Sequence, residues 1–307
     1  MINFRYHVVS LAAVFLALAI GLVVGTSALN GVASDELNRK VNQLTKENSQ
    51  YRDRIDGLEN EAGQQEAFAT AAAPGLLAGK LAGRRVVLVS MQQSSSYVDD
   101  TESMLKLAGA KITGKVEIED GFVKPDNNDA LLDLAATTLN SATINNLPAN
   151  SDGVETSSAL LAAVLLDHVP AVPGDTMRSV LRAYEEMKYI VVDGDVSGPA
   201  EAVVIVATPP YTDKDAAAEN TNTVTMVDQF DKAGPVVVGA PGDAGAGNII
   251  GSVTGDAALS KTISTVDDIN TPQGRIAATL ALNEQLGGKT GHYGNASSAS
   301  AMLPKQP

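Results

Sequence analysis

Two stretches and one scattered set of residues in the 307-residue chain are of types that could do chemistry. The first, "GAPGDAGAGNIIG" (239 to 251), is glycine-rich and follows an apolar run, as a phosphate cradle does. It lacks the Lys-Ser/Thr pair of G-x-x-x-x-G-K-[ST], because Gly242 and Gly247 are followed by Asn248 and Ile249, and GxGxxG is absent. A plain loop is the simpler reading. The second, "DGDVSG" (193 to 198), places Asp193, Asp195 and Ser197 at alternating positions before Gly198, like the first half of a calcium loop. Position 12 of that loop, where a bidentate Glu belongs, is Val204, and Pro199 intrudes, so a strand-to-strand turn is expected instead. The third set is scattered: His7, His168 and His292 have no sequence partner at metal spacing, and the seven Met form no MxxM cluster that a soft cation such as Cu(I) would favour. No G-x-S-x-G elbow or H-E-x-x-H helix is present either. The expectation is a protein that is not an enzyme, with no catalytic, cofactor or metal residues of its own.

Composition narrows the partners. With no Cys, disulfides and thiolate sites are excluded, and the redox compartment is left open. The net charge is -14, and because Arg5 is the only charged side chain before residue 30, the remainder holds 21 basic against 36 acidic groups. Such a surface repels phosphate backbones, so nucleic acid is not an expected partner.

The elements that position these residues begin with an anchor. From Val8 to Leu29 no charge interrupts 22 residues. As a helix this is roughly 33 Å long, enough to cross a bilayer. A cleaved signal peptide is the competing reading, but its apolar core is usually about 7 to 15 residues. Arg5 and the amino terminus flank the short side, and Asp35 and Glu36 the long side, which predicts a cytoplasmic N-terminus at the inner (plasma) membrane and an extracytoplasmic remainder. Ala13, Ala17, Gly21 and Gly25 recur every four residues, a small-residue ridge on which two membrane helices can approach closely.

A seam follows the anchor. Leu37, Val41, Leu44, Asn48, Tyr51, Ile55, Leu58 and Ala62 succeed one another at spacings of 4, 3, 4, 3, 4, 3 and 4, a coiled-coil register. With Val41, Asn48, Ile55 and Ala62 at a, and Leu37, Leu44, Tyr51 and Leu58 at d, a parallel two-stranded coil is favoured. Asn48 then has a reason: its amide can pair with its twin only in register. Glu47 faces Arg52, and Arg54 faces Glu59, across such a homodimer. A helix lying on its own domain, or a coil with another protein, are the alternatives. The ridge and the seam fall on different sides of one helix, so a joint is predicted at Asn30-Gly31, where both residues tolerate non-helical backbone. Beyond Gly63, a helix end, a break at Pro74-Gly75 and a short connecting helix are expected.

The remaining runs specify an α/β fold. "RRVVLVSM" (84 to 91), "YIVVDG" (189 to 194), "AVVIVATP" (202 to 209) and "GPVVVGAP" (234 to 241) are apolar without polar alternation. Helical patterns near 97 to 108, 126 to 140, 156 to 168, 175 to 187, 214 to 232 and 272 to 286 separate or follow them. That is a mainly parallel sheet covered on both faces, a Rossmann-like or flavodoxin-like three-layer domain, with "KITGKVEIED" (111 to 120) as a further strand. The expected organisation is an N-terminus and transmembrane helix (1 to 30), a coiled coil (31 to 65), a neck (66 to 83), an α/β domain (84 to 288) and a flexible tail (289 to 307).

Both ends of the chain match a known pattern. "MINFRYHVVSLAAVFLALAIGLVVG" and "STVDDINTPQGRIAATLALNEQLGGKTGHYGNASSASAMLP" resemble the terminal signatures of the actinobacterial MctB/SteB family, and "LAGRRVVLVS" and "AGAKITGKV" fit the same pattern. The resemblance implies one anchor, a coiled coil and an extracytoplasmic α/β domain. One branch of the family is described as a copper-transport outer-membrane channel. The other, SteB, is described as acting with SteA, a membrane protein with a cytoplasmic domain, in daughter-cell separation and control of septal peptidoglycan hydrolysis. The expected function is a SteB-like dimeric scaffold that works with a SteA-like partner and a coiled-coil-regulated peptidoglycan hydrolase. Copper transport is the alternative.

Overall fold

The computed structural model describes residues 4–92, 94–139, 144, 147–148, 150–242 and 247–305; of these, the side chains of 27–34 and of 95 and 96 are not described. The chain divides into two compact units, Met1–Gln65 and Glu66–Pro307.

The first unit is helical. Helix α1 runs from Phe4 to Leu77, and its Phe4–Thr26 stretch has a mean hydropathy of 2.7 with none of it buried. The predicted joint at Asn30-Gly31 is corrected by the structure, since α1 continues through both residues. Asn and Gly tolerate other backbone without imposing it: each lowers helix propensity by about 1 kcal/mol or less, and propagation along an existing helix is cooperative. The ridge and the seam therefore lie on one continuous helix, with Gly25 and Val41 roughly 160° apart around its axis. The seam residues Leu37, Val41, Leu44, Asn48, Tyr51, Ile55 and Leu58 are all exposed.

The second unit begins with the last turns of α1. The expected break at Pro74-Gly75 is also corrected, because Pro74 lies inside the helix. Here packing overrides local preference: Ala69, Ala73 and Leu77 are buried on the sheet face below, and that burial holds the helix to Leu77. In chain order the elements are β1 (Arg85–Met91), α2 (Ser95–Leu107), β2 (Lys111–Ile118), α3 (Asp120–Val123), α4 (Asn128–Leu139), α5 (Gly153–Leu165), α6 (Gly174–Glu186), β3 (Ile190–Asp193), β4 (Ala202–Val206), α7 (Ala216–Ala233), β5 (Val236–Gly239), α8 (Ile249–Gly255), β6 (Ser264–Val266), α9 (Pro272–Leu286) and β7 (His292–Tyr293).

The strands form one sheet in the order β3-β2-β1-β4-β5-β6-β7. All neighbours are parallel except β2 and β3. Winding outward from β1 in both directions is the Rossmann-type order, not the flavodoxin-type one, with β3 reversed and β7 added. Period-two alternation sends successive valines of each strand into two cores. Val87, Val89, Val203, Ile205, Val236 and Val238 pack beneath α4 to α8. Val86, Leu88, Val204, Val206 and Val237 pack beneath α1, α2 and α9. Each such side chain contributes about 1.5–3 kcal/mol by leaving water.

The end of the chain departs from the expected flexible tail. Residues 289 to 305 include β7; Ala301 bridges back to Tyr293, Ser300 Oγ donates to the His292 carbonyl at 2.8 Å, and Pro304 is buried. The small, polar residues of this segment carry little local signal, and its order comes from carboxylates far away in the sequence.

Candidate functional site

In doubly wound sheets the chain crosses in opposite directions from the first strand, which opens a crevice beyond the carboxyl ends of the strands. Here that place lies between β1 and β4. At its base lies Ser94, a fully buried side chain whose Oγ stands 2.5 Å from the Met91 carbonyl oxygen and 3.1 Å from that of Val206. On one flank, Gln92 Nε2 donates to Glu119 Oε2 at 2.8 Å. Burial, with the nearby Glu119 charge, raises the Glu117 carboxyl.

Two clefts open along this edge. The smaller, about 240 Å³, is walled by Asp120, Lys124, Tyr211, Asp213 and Glu219. Glu219 is only 3% exposed, and burial followed by Asp213 raises its pKa. Tyr211 and Thr223 hydroxyls meet at 3.1 Å, which fixes the ring that forms the wall.

The larger, about 570 Å³, lies where β6 delivers the chain to α9. Asp267 and Asp268 stand side by side there and both are buried. Asp267 accepts the main-chain N–H groups of Asn295 at 2.7 Å and Ala296 at 3.1 Å. Asp268 Oδ2 accepts from Asn295 Nδ2 at 3.1 Å, while its Oδ1 is buried without a hydrogen-bond partner. Burial, reinforced by the Asp267 charge, pushes the Asp268 carboxyl up to about 6. Thr271 caps α9 by accepting the Gly274 N–H at 3.1 Å, with Pro272 at the first helical position. Behind the cap, buried Arg275 donates to the carbonyls of Ile269 at 3.2 Å and Asn270 at 2.8 Å and pairs with Asp100 at 3.0 Å. The carboxylates described at this edge, Asp267, Asp268, Asp213 and Glu219 among them, have the sign that repels a phosphate group. Among the described residues no group of three His, Cys, Asp or Glu side chains converges as a metal set.

The sequence-predicted residues fall as follows. Ala13, Ala17, Gly21 and Gly25, and the seam from Leu37 to Leu58, occupy two faces of α1 within the first unit. Of the glycine-rich stretch, residues 243 to 246 lie outside the described residues. In the remainder, Gly239 ends β5 and Asn248 caps α8 by accepting the Ile250 N–H at 2.8 Å. "DGDVSG" leads from β3 to β4, which are separated in the sheet by β2 and β1, so it crosses the sheet end instead of turning tightly. Lys115 pairs with Asp193 at 2.5 Å, and Ser197 N–H binds the Thr113 carbonyl at 2.7 Å. His292 has both ring nitrogens engaged, Nδ1 with Thr265 Oγ1 at 2.9 Å and Nε2 with the Ser260 carbonyl at 3.0 Å.

The Asp267, Asp268, Thr271 and Asn295 constellation was not singled out in the sequence. Its one local sign is the helix-start signature Thr271-Pro272. The carboxylates stand out only once β6 brings them against a loop 28 residues further on.

Comparison with known proteins matches residues 1–304 to the family described as "Copper transport outer membrane protein, MctB". Relatives named "Copper transporter MctB" from Mycobacterium tuberculosis (strain ATCC 25618 / H37Rv) and Mycobacterium bovis are each 28% identical over 324 residues. One from Mycobacterium leprae is 28% identical over 331 residues. In every case the alignment covers 100% of both chains. The family match and the apolar N-terminal helix together mark a membrane-anchored protein.

Proposed function

We propose that this chain, which belongs to the MctB family, is a membrane-anchored envelope protein of copper transport, with copper as the cargo of the process it serves. The observation that carries the reading is the match to copper-transporter relatives along the whole length of both chains, anchor included. In this reading the N-terminus with Arg5 is cytoplasmic, Phe4–Thr26 crosses the inner membrane, and the α/β unit is extracytoplasmic.

The physics favours a scaffold over a conduit. A lipid-facing barrel needs closed strands of about 9–11 residues. Among the described residues the strands have 2 to 8 residues, are covered by helices on both faces, and end at β3 and β7 without closure. Copper handling then falls to an assembly. Two copies zip in parallel through Leu37, Val41, Leu44, Tyr51, Ile55 and Leu58, with Asn48 paired to its twin and Glu47–Arg52 and Arg54–Glu59 attractive across the seam. Gly21 and Gly25 set the contact within the bilayer.

A second reading is favoured by that exposed seam together with the engaged ring nitrogens of His292: a SteB-like scaffold that joins a SteA-like membrane protein to a septal peptidoglycan hydrolase in cell separation. One deletion strain separates the two. Copper sensitivity reversed by the intact gene supports the first reading. Unseparated, chained cells with unchanged copper tolerance overturn it in favour of the second.

A further inference from the structure

Away from the carboxyl edge, a cavity of about 820 Å³ opens between the second half of α9, β7 and the folded-back segment 300 to 305. Its size lies within the range of sites that enclose a small molecule. Part of its wall is apolar: Leu280 is 2% exposed, Leu303 packs onto the core beneath α9, and Pro304 is buried. The rim is basic. Lys80, Lys289 and Lys305 all line the opening, and among the described residues none of the three has a carboxylate within ion-pairing distance.

The single carboxylate on the wall, Glu284, is already engaged by the Tyr293 hydroxyl. A chain of net charge -14 thus gathers three lysines against one acid around a partly apolar hollow, the reverse of its carboxyl edge. Fixed positive charge at a low-dielectric wall focuses potential into the opening and concentrates anions there. The apolar side walls give an adjoining hydrocarbon body a place to leave water.

We propose that this cavity binds an amphiphilic anion, a single alkyl or acyl chain with a carboxylate or phosphate head. The head sits among Lys80, Lys289 and Lys305, and the chain lies against Leu280 and Leu303. The inference does not depend on the copper reading and goes beyond it.

Calorimetric titration of the full-length protein in phosphatidylcholine nanodiscs, with empty discs subtracted, tests it. The probes are octyl phosphate, octanoate, octanol, octyltrimethylammonium and inorganic phosphate. The expected result is one saturable site per chain for the two anionic amphiphiles. Octanol, octyltrimethylammonium and inorganic phosphate should each bind at least tenfold more weakly. Replacing all three lysines by Gln should weaken octyl phosphate tenfold or more. The single Lys289→Glu change, at an exposed position, should weaken the anions and improve the cation while the circular dichroism spectrum stays that of wild type. Heat no greater than empty discs, equal affinity for the cationic amphiphile, or undiminished octyl phosphate binding by Lys289→Glu overturns the proposal. Inorganic phosphate binding as tightly as octyl phosphate overturns its amphiphilic part.

Discussion

Asp267, at the end of β6, accepts the main-chain N–H of Asn295 at 2.7 Å, and so ties the segment after β7 to the carboxyl edge of the sheet. The neighbouring Ala296 N–H joins the same carboxylate at 3.1 Å. Asp267→Ala leaves these amides without their acceptor, and a lost buried partner costs about 1–3 kcal/mol. Urea denaturation should show a loss of that order, and hydrogen exchange should accelerate at Asn295 and Ala296. Unchanged exchange there contradicts the clamp.

The adjoining Asp268 predicts a pH dependence of the opposite sense to an ordinary paired carboxylate. Its folded pKa of about 6 exceeds the unfolded value of about 3.9, so the native state holds the proton more tightly. The contribution of Asp268 to stability is therefore most favourable below about pH 4, falls as pH rises to about 6, and carries the full penalty above that. Asp268→Asn removes the charge and should raise stability at pH 7 by on the order of 2 kcal/mol. Its stability between pH 4 and 6 should be flatter than wild type. Denaturation midpoints across pH 4 to 8 measure both, and a variant with wild-type slope sinks the assignment.

Two glycines allow close approach around the same edge, and they should respond differently to alanine. A Cβ on Gly274 would stand 2.0 Å from the Asp268 main-chain oxygen, which cannot yield without moving α9. On Gly239 it would meet Ile269 Cγ1 at 2.8 Å, a side chain that can be trimmed. Gly239→Ala should cost about 1–3 kcal/mol, and its added cost should shrink in an Ile269→Ala background, where Cγ1 and Cδ1 are both gone. Gly274→Ala should cost more than about 4 kcal/mol, with no relief in the Ile269→Ala background. Thermal denaturation of wild type, the three single variants and the two double variants closes both cycles, and additive losses for Gly239 and Ile269 rule out the contact.

For the seam, Asn48→Leu in the detergent-solubilised intact protein should give a more stable but less uniform oligomer, seen as several species by sedimentation velocity where wild type gives one dimer. The buried amide costs stability and selects register; leucine reverses both. A monomeric wild type ends the paired reading.

The features readable along the chain were those carried by local periodicity. The 3.5-residue repeat from Leu37, the uncharged run from Val8 to Leu29, and the valine-rich strands at 84 to 91, 202 to 209 and 234 to 241 each announce an element because neighbouring residues share one environment. Backbone continuity at Asn30-Gly31 and at Pro74 was misjudged from those same local preferences: helix propagation at the first, and burial of Ala69, Ala73 and Leu77 at the second, outweigh them. β6, three residues long, and β7, two, are too short to leave a pattern of their own; β6 pairs on the edge that β5 offers, and β7 on the edge of β6. The Asp267–Asn295 clamp and the lysine-rimmed cavity lie further still from local reading. Each joins groups many residues apart, and charge or hydrogen bonding across such a gap depends on distances that only the folded sheet sets.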